Sequence, residues 1–209
     1  MYVPAAFREE RPELLHRLIR EYSLATLVTH GEGGLTANHL PMLLDAGAGT
    51  LRGHMARANP HRREIGSGAA ALAIFHGPQH YISPSWYVSK RAHGKVVPTW
   101  NYATVHVHGT LRVFEDRGEL LHNVRELTAA REAGMPEPWT VDDAPAEFIE
   151  GLLAGIVGVE LAIGRMEGKW KVSQNRPPAD RASVAIALRG LADSGAARMA
   201  DLVEAVRGE

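Results

Sequence analysis

Nine of the eleven histidines in this 209-residue chain lie between His30 and His108, together with Trp86 and Trp100. Such a concentration of polar aromatic side chains favours a binding surface, although a single His or Trp in a β domain is ordinarily a hydrogen-bonded packing residue. Within it, Val97-Pro98-Thr99-Trp100-Asn101-Tyr102 stands out. Pro98 removes a backbone donor and stiffens the chain just before a strand, so Trp100 and Asn101 follow in a fixed pose. That arrangement suits a planar ligand: Trp100 offers a stacking or edge surface, and Thr99 and Asn101 offer donors and acceptors for ring carbonyls and nitrogens. The other reading is a tight turn tied into the core.

His54, Arg57 and Asn59 come just after a β-prone run, and Arg57 carries a planar fork of donors suited to phosphate. An isolated Arg more commonly pairs with a surface carboxylate. Lys169-Trp170-Lys171-Val172-Ser173-Gln174-Asn175-Arg176 gathers donors where an anionic group could dock, or where a solvated loop ends at Pro177-Pro178. His106 and His108 alternate on a strand and so face one way, with His54 or His39 as a third nitrogen. No acidic companion stands at a suggestive spacing, and no metal is assigned. His76 and His80 are separated by Gly77-Pro78, which breaks the helix that a zinc pair of that spacing requires. HExxH, Gly-x-Ser-x-Gly, GxxxxGK[ST] and GxGxxG are all absent. The usual hydrolase, ATPase and Rossmann dehydrogenase readings are disfavoured.

The elements around these residues are short and β-rich. Pro12 opens a helix that presents Leu14, Leu15, Leu18, Ile19 and Tyr22 on one face. Runs Leu24 to Thr29, Leu35 to Leu44, Thr50 to Met55 and Ala70 to Phe75 read as strands, with glycine-rich turns between the first three. His80 to Ile82 reads as a separate extended piece beyond Gly77-Pro78. Ser89 to Lys95, with three basic side chains, a His and a Gly, reads as a mobile loop able to act as a lid. Asn101 to Phe114 and Ile156 to Met166 are further strands. Helical patterns occur around Leu120 to Leu127, Phe148 to Leu153, Ala182 to Leu188 and Ala196 to Val206. About six or seven strands with inserted and terminal helices predict one small, mainly β barrel with flanking helices, spanning 1–209, its C-terminal helices covering about 178–209.

Composition sets the outer limits. Hydrophobic residues make up 45% and charged residues 22%, close to a globular average. A net charge of −1 gives no overall field for nucleic acid or anionic lipid, and cysteine is absent, so disulfides and thiol catalysis are out. The chain begins without a secretory pattern and has no apolar run of membrane-spanning length, so it is expected in the cytoplasm.

Six ordered stretches resemble the PaiB family, whose members are described as FMN-binding negative transcriptional regulators. They are Met1 to Pro4 with Phe7, Asn38-His39-Leu40-Pro41, Gly53 to Pro60, Tyr81 to Tyr87, Val97 to Tyr102, and Ser173-Gln174-Asn175-Arg176. The resemblance covers nearly the whole chain; Val172 stands where Leu is expected. It implies a split β-barrel of the pyridoxamine-phosphate-oxidase and flavin-reductase type, a homodimer, and FMN sites at the subunit interface. Carried over residue by residue, Arg57 and Asn59, with His54 nearby, would face the FMN phosphate. Tyr81, Ser83, Trp86, Thr99, Trp100 and Asn101 would border the ring, and Gln174, Asn175 and Arg176 would close the pocket.

Two functions follow. The first is a flavin-binding repressor, for which direct DNA contact is doubtful: there is no helix-turn-helix pattern, and Lys90, Arg91, Lys95, Arg189, Arg198 and Arg207 are the visible phosphate contacts. The second is a flavin-dependent oxidoreductase or a haem-handling protein, the latter with His39, His54 or His106 as axial ligand. A third reading is a pocket that has lost its ligand and acts through partner contacts alone.

Overall fold

The computed structural model describes residues 1–66 and 68–206. A 3-10 turn at Ala5–Phe7 leads through β1 (Arg8–Glu9) to α1 (Pro12–Glu21). Pro12 sits in the first turn, where its missing N–H is not needed. Then come β2 (Leu24–Gly31), β3 (Gly34–Pro41), β4 (Leu43–Asp45) and β5 (Thr50–Ala56). The hairpin closes with Gly31 paired to Gly34, and Gly34 takes φ 99°, a conformation that favours glycine. After α2 (His61–Ile65) the chain forms β6 (Ala69–Ile82), α3 (Ser89–His93) and β7 (Thr99–Phe114). Next are α4 (Arg117–Glu132), α5 (Ala146–Ala154), β8 (Ile156–Lys171), α6 (Pro178–Arg189) and α7 (Ser194–Glu204).

The strands form one sheet in the order β3-β2-β6-β7-β8-β5-β4, with β1 pairing β8. The hairpins pair antiparallel, and β5 runs antiparallel to β8 from Thr50 opposite Ala162 to Ala56 opposite Ile156. Alternation along β5 buries Leu51, Gly53 and Met55 and turns Thr50, Arg52 and His54 to the other face.

Three expectations change. Leu35 to Leu44, read as one strand, is two, β3 ending at Pro41 and β4 starting at Leu43. His80 to Ile82 is not a separate piece, because β6 continues through Gly77 and Pro78. Pro78 has no N–H to donate but lies beyond the 71–74 stretch that pairs with β2. Ser89 to Lys95 is not a plain loop either, because Ser89–His93 is helical. The cause is Asp180, whose carboxylate accepts from the Ser89 N–H at 2.9 Å and from its hydroxyl at 2.6 Å.

Contacts divide the chain into two compact units. The first comprises Met1–Leu15, His76–Val105 and Glu167–Glu209; the second comprises His16–Phe75 and His106–Met166. In the first unit α6 and α7 bury Val184, Leu188, Met199 and Val203 with Tyr87 and Val172. In the second, Leu120 of α4 and Leu153 of α5 enclose Phe114 at the end of β7. Two glycines on β7 and β8 permit close approach there. A Cβ at Gly158 would lie 2.1 Å from Phe114 Cζ, and one at Gly109 would lie 2.0 Å from the Ala162 carbonyl oxygen.

Gly109→Ala is expected to cost about 1–3 kcal/mol, because the opposing atom is backbone and cannot rotate away. Urea unfolding should show a lower midpoint with an unchanged slope. An unchanged midpoint would mean that the two strands can move apart freely.

Candidate functional site

In the second unit the residues after β5 form a closed polar circuit. The backbone N–H of His61 donates to Asn59 Oδ1 at 3.0 Å, which orients that amide. Asn59 Nδ2 then donates to Asn38 Oδ1 at 2.9 Å, and Asn38 Nδ2 donates to His61 Nδ1 at 2.7 Å. Nδ1 is therefore the acceptor, and Nε2 carries the proton that meets Thr29 Oγ1 at 2.6 Å. His61 is 1% exposed, and burial pulls its pKa below the ordinary value, with the Glu64 carboxylate opposing. The imidazole is neutral and fixed in one tautomer. Asn59, expected at a phosphate, has both amide atoms engaged in holding α2 against β3.

Arg57 is engaged as fully. Its Nε donates to Ala154 O at 2.9 Å, Nη2 to Ile156 O at 3.1 Å, and Nη1 to the Glu115 carboxylate at 2.6 Å. A phosphate at this fork would have to displace those contacts. His54, on β5, keeps a buried Nδ1 without a hydrogen-bond partner, and burial lowers its pKa. His39 meets Thr26 Oγ1 at 3.2 Å, and the rings of His106 and His108 lie 6.4 Å apart.

The first unit holds the aromatic candidates. Trp100 at the start of β7 is 49% exposed and Tyr81 at the end of β6 is 43% exposed. Their rings meet edge to face at 6.2 Å, and Trp100 Nε1 donates to Gln79 Oε1 at 3.2 Å. The pair is thus a fixed aromatic surface with one flank open to solvent. Lys171 Nζ donates to Thr99 Oγ1 at 2.5 Å, adding a cation and a hydroxyl beside Trp100 in sequence. Lys169 lies 5.3 Å from the Tyr102 ring centre. Ser83 caps the 3-10 turn Pro84–Trp86, and Trp86 packs near His80 at 6.1 Å.

Asn101 behaves differently from its neighbours. It is 1% exposed and donates through Nδ2 to Ser173 Oγ at 2.9 Å, while its Oδ1 is buried without a partner. Ser173 adopts φ 66°, unusual for a residue with a side chain, and the bond to Asn101 helps to hold it there. Gln174 closes the turn by accepting from Val172 N at 2.8 Å and donating to Trp170 O at 2.5 Å. The Arg176 guanidinium lies over the Tyr87 ring, 4.7 Å from its centre, and burial raises the Tyr87 pKa. Only Asn175 of the Ser-Gln-Asn-Arg run is exposed. The run is a built turn, neither a solvated loop nor an open cluster of donors.

Sequence reasoning passed over His61, Thr29 and Gln79. Pro60 marks the start of α2, and the apolar Ile65 four residues after His61 was the signal that the two share a buried face. Among the basic residues singled out for nucleic acid, Arg189 is clamped by Asp201 at 2.7 Å and by Glu204, and Lys90 donates to Ser85 at 3.1 Å. Arg207 lies outside the described residues. Among the described residues, no helix is long and apolar enough to cross a membrane.

Comparison with solved structures shows that this architecture is a split β-barrel fold. The solved FAD and haem binding protein from Mycobacterium smegmatis superposes with a TM-score of 0.54 at 20% identity, covering 78% of this chain and 73% of that one. Residues 1–165 match the family model described as "Putative FMN-binding domain". The Bacillus subtilis (strain 168) protein named protease synthase and sporulation protein PAI 2 is 32% identical over 206 residues, covering 98% of this chain and 97% of its own. An uncharacterized protein of Emericella nidulans is 33% identical over 247 residues, covering 100% and 98%. The chain belongs to this FMN-binding-domain family, the PaiB family.

The circuit predicts acid sensitivity. The folded pKa of His61 is lowered, whereas the unfolded ring titrates near about 6.5. Below that pH the unfolded chain binds a proton that the folded chain refuses, so stability present above it is lost as pH falls through the folded value. His61→Gln should be less stable at neutral pH yet flatten the stability–pH slope below about 6.5 by up to one proton. Urea midpoints across pH 5 to 8 read this directly; an unchanged slope would place the His61 ring in contact with water.

Proposed function

We propose that the protein binds FMN and acts as a homodimeric, cytoplasmic negative regulator of transcription whose flavin site senses a ligand or redox state. The observation that carries the flavin reading is the exposed Trp100–Tyr81 pair, held edge to face and fixed by Gln79. A rigid aromatic surface with one flank open to solvent fits a flat, carbonyl-bearing ring. Tyr81 and Trp100 would border the isoalloxazine. Asn101, Ser173 and Gln174 would hold the wall behind it in shape. When bound, FMN supplies reversible one- and two-electron chemistry; the chain's own residues orient the ring and set its surroundings.

Family membership supports the regulator reading, and the exposed apolar side chains of Tyr81, Val97 and Trp100 support a subunit contact. The net charge of −1 and the clamping of Arg189 by two carboxylates argue that transcription is controlled through a partner and not by direct grip on DNA.

Titration of the full-length protein with FMN, followed by visible absorbance, should saturate at one flavin per chain. Trp100→Ala should weaken binding about tenfold, the loss expected from about 1.4 kcal/mol of contact. A colourless protein that ignores FMN would overturn the flavin reading, and a Soret band on adding haem would redirect it. Light scattering should give twice the chain mass; a monomer would remove the dimer. Bleaching of the complex by reduced nicotinamide would move the assignment from regulator to oxidoreductase.

A further inference from the structure

The outer face of β5 carries a second arrangement that the flavin reading does not use. Glu160 of β8, 9% exposed, holds two arginines at once. Arg52 of β5 gives its Nε to Oε2 at 2.5 Å, and Arg112 of β7 gives its Nε to Oε1 at 2.8 Å. Both guanidinium carbons lie over the Phe114 ring, 5.8 and 5.5 Å from its centre. Phe114 can take that position because Gly158 presents no side chain beneath it.

An ordinary Arg–carboxylate pair closes bidentately and uses much of the fork. Here each arginine presents a single Nε to the shared carboxylate, and among the described residues neither makes a hydrogen bond through its Nη groups. Two cations against one anion leave a local charge of +1. Burial pushes the Glu160 pKa up, but the bonds and charges of Arg112 and Arg52 outweigh it, so the carboxylate stays ionised. The guanidiniums are held side by side by a common carboxylate and a common ring, which removes much of the rotamer freedom that a ligand would otherwise have to freeze. On either side of Arg52, two residues away on the same face of β5, Thr50 Oγ1 and His54 Nδ1 are buried without a hydrogen-bond partner. Asp45 stands across from Thr50, but its Oδ1 is turned back to accept from the N–H groups of Gly47 and Ala48.

We propose that Arg52 and Arg112, clamped by Glu160 over Phe114, form a binding site for an oxyanion of the phosphate class. The open Nη forks supply the planar donors that a tetrahedral oxyanion accepts, and the partly exposed side chains leave it a way in, at 27% and 42% exposure. The observations behind this site do not rest on the proposed flavin site at Trp100 and Tyr81. The same chemistry can be presented by free inorganic phosphate or by a phosphate ester, including the terminal phosphate of FMN.

Calorimetric titration of the full-length protein with inorganic phosphate, at constant ionic strength, should show saturable binding. Arg112→Gln, which leaves Glu160 partnered by Arg52, should weaken it at least tenfold, and Arg112→Lys less. Arg125→Gln makes the same charge change at the exposed Arg125–Asp142 pair and should leave the affinity unaltered. Absence of saturable binding in the wild type, or equal losses in Arg112→Gln and Arg125→Gln, would overturn the proposal. Circular dichroism of each variant controls for folding. Parallel titrations with FMN and riboflavin identify the source. Weakening of FMN alone in Arg112→Gln assigns the site to the flavin's phosphate, and unchanged binding of both flavins assigns it to a free oxyanion. If neither flavin binds, the flavin reading fails while the phosphate titration still decides this site.

Discussion

The carbonyl oxygen of Ala162 on β8 comes so close to Gly109 on β7 that position 109 has no room for any side chain, and this approach fixes how the two strands face each other. Strand register with a period of two decides which side chains share a face. Arg112, three residues on, can therefore reach Glu160, and Phe114 can lie across Gly158. Near the opposite end of the same strand, Thr99 meets Lys171 and Asn101 meets Ser173. A slip of one residue would turn Arg112 to the buried side and Leu111 to the solvent side, and the polar contacts of both segments would be lost together. The glycines at 109 and 158 are thus constraints on chemistry as much as on packing.

Much of the fold was legible because it is written locally. Apolar alternation marked β2, β5 and β7, Pro12 marked the start of α1, and glycines marked the hairpin turns. The misreadings share one physical origin. Gly77-Pro78 looks like a break, yet the strand continues through it, past the 71–74 stretch that pairs with β2. Ser89 to Lys95 has almost no apolar anchor of its own, and what orders its helix is Asp180, ninety-one residues away in sequence. A local reading has no access to a cap supplied by another helix.

The same limit shaped the candidate site. Trp100 and Tyr81 were legible as a polar aromatic surface because stiff backbone and aromatic side chains sit next to each other in sequence, and both are exposed in the structure. Asn101, the next residue, faces the other way by strand alternation and serves the turn at Ser173. His61 was missed because its partners, Thr29 and Asn38, are thirty-two and twenty-three residues away and lie on other strands. Residue type proposes hydrogen-bonding chemistry; only the atoms that surround the side chain in the fold decide whether that chemistry is still available.

The arginines make that distinction sharply. Arg57 has a sequence context that suggests phosphate, following His54 and preceding Asn59 and Pro60, yet its Nε, Nη1 and Nη2 all meet acceptors of the protein itself. Arg189, on a helix near the C-terminus, is held by two carboxylates. Arg52 lies in a strand with no motif to recommend it, and Arg112 likewise, but among the described residues both keep their Nη groups clear of protein acceptors. A guanidinium already closed on carbonyls and carboxylates must break those bonds to bind an anion, at a cost of about 1.5–3 kcal/mol for each charged bond. One that is fixed in place through Nε alone has no such cost. In this protein the capacity to hold an anion therefore follows the geometry of unused donors, and it lies on the sheet face built by β5, β7 and β8.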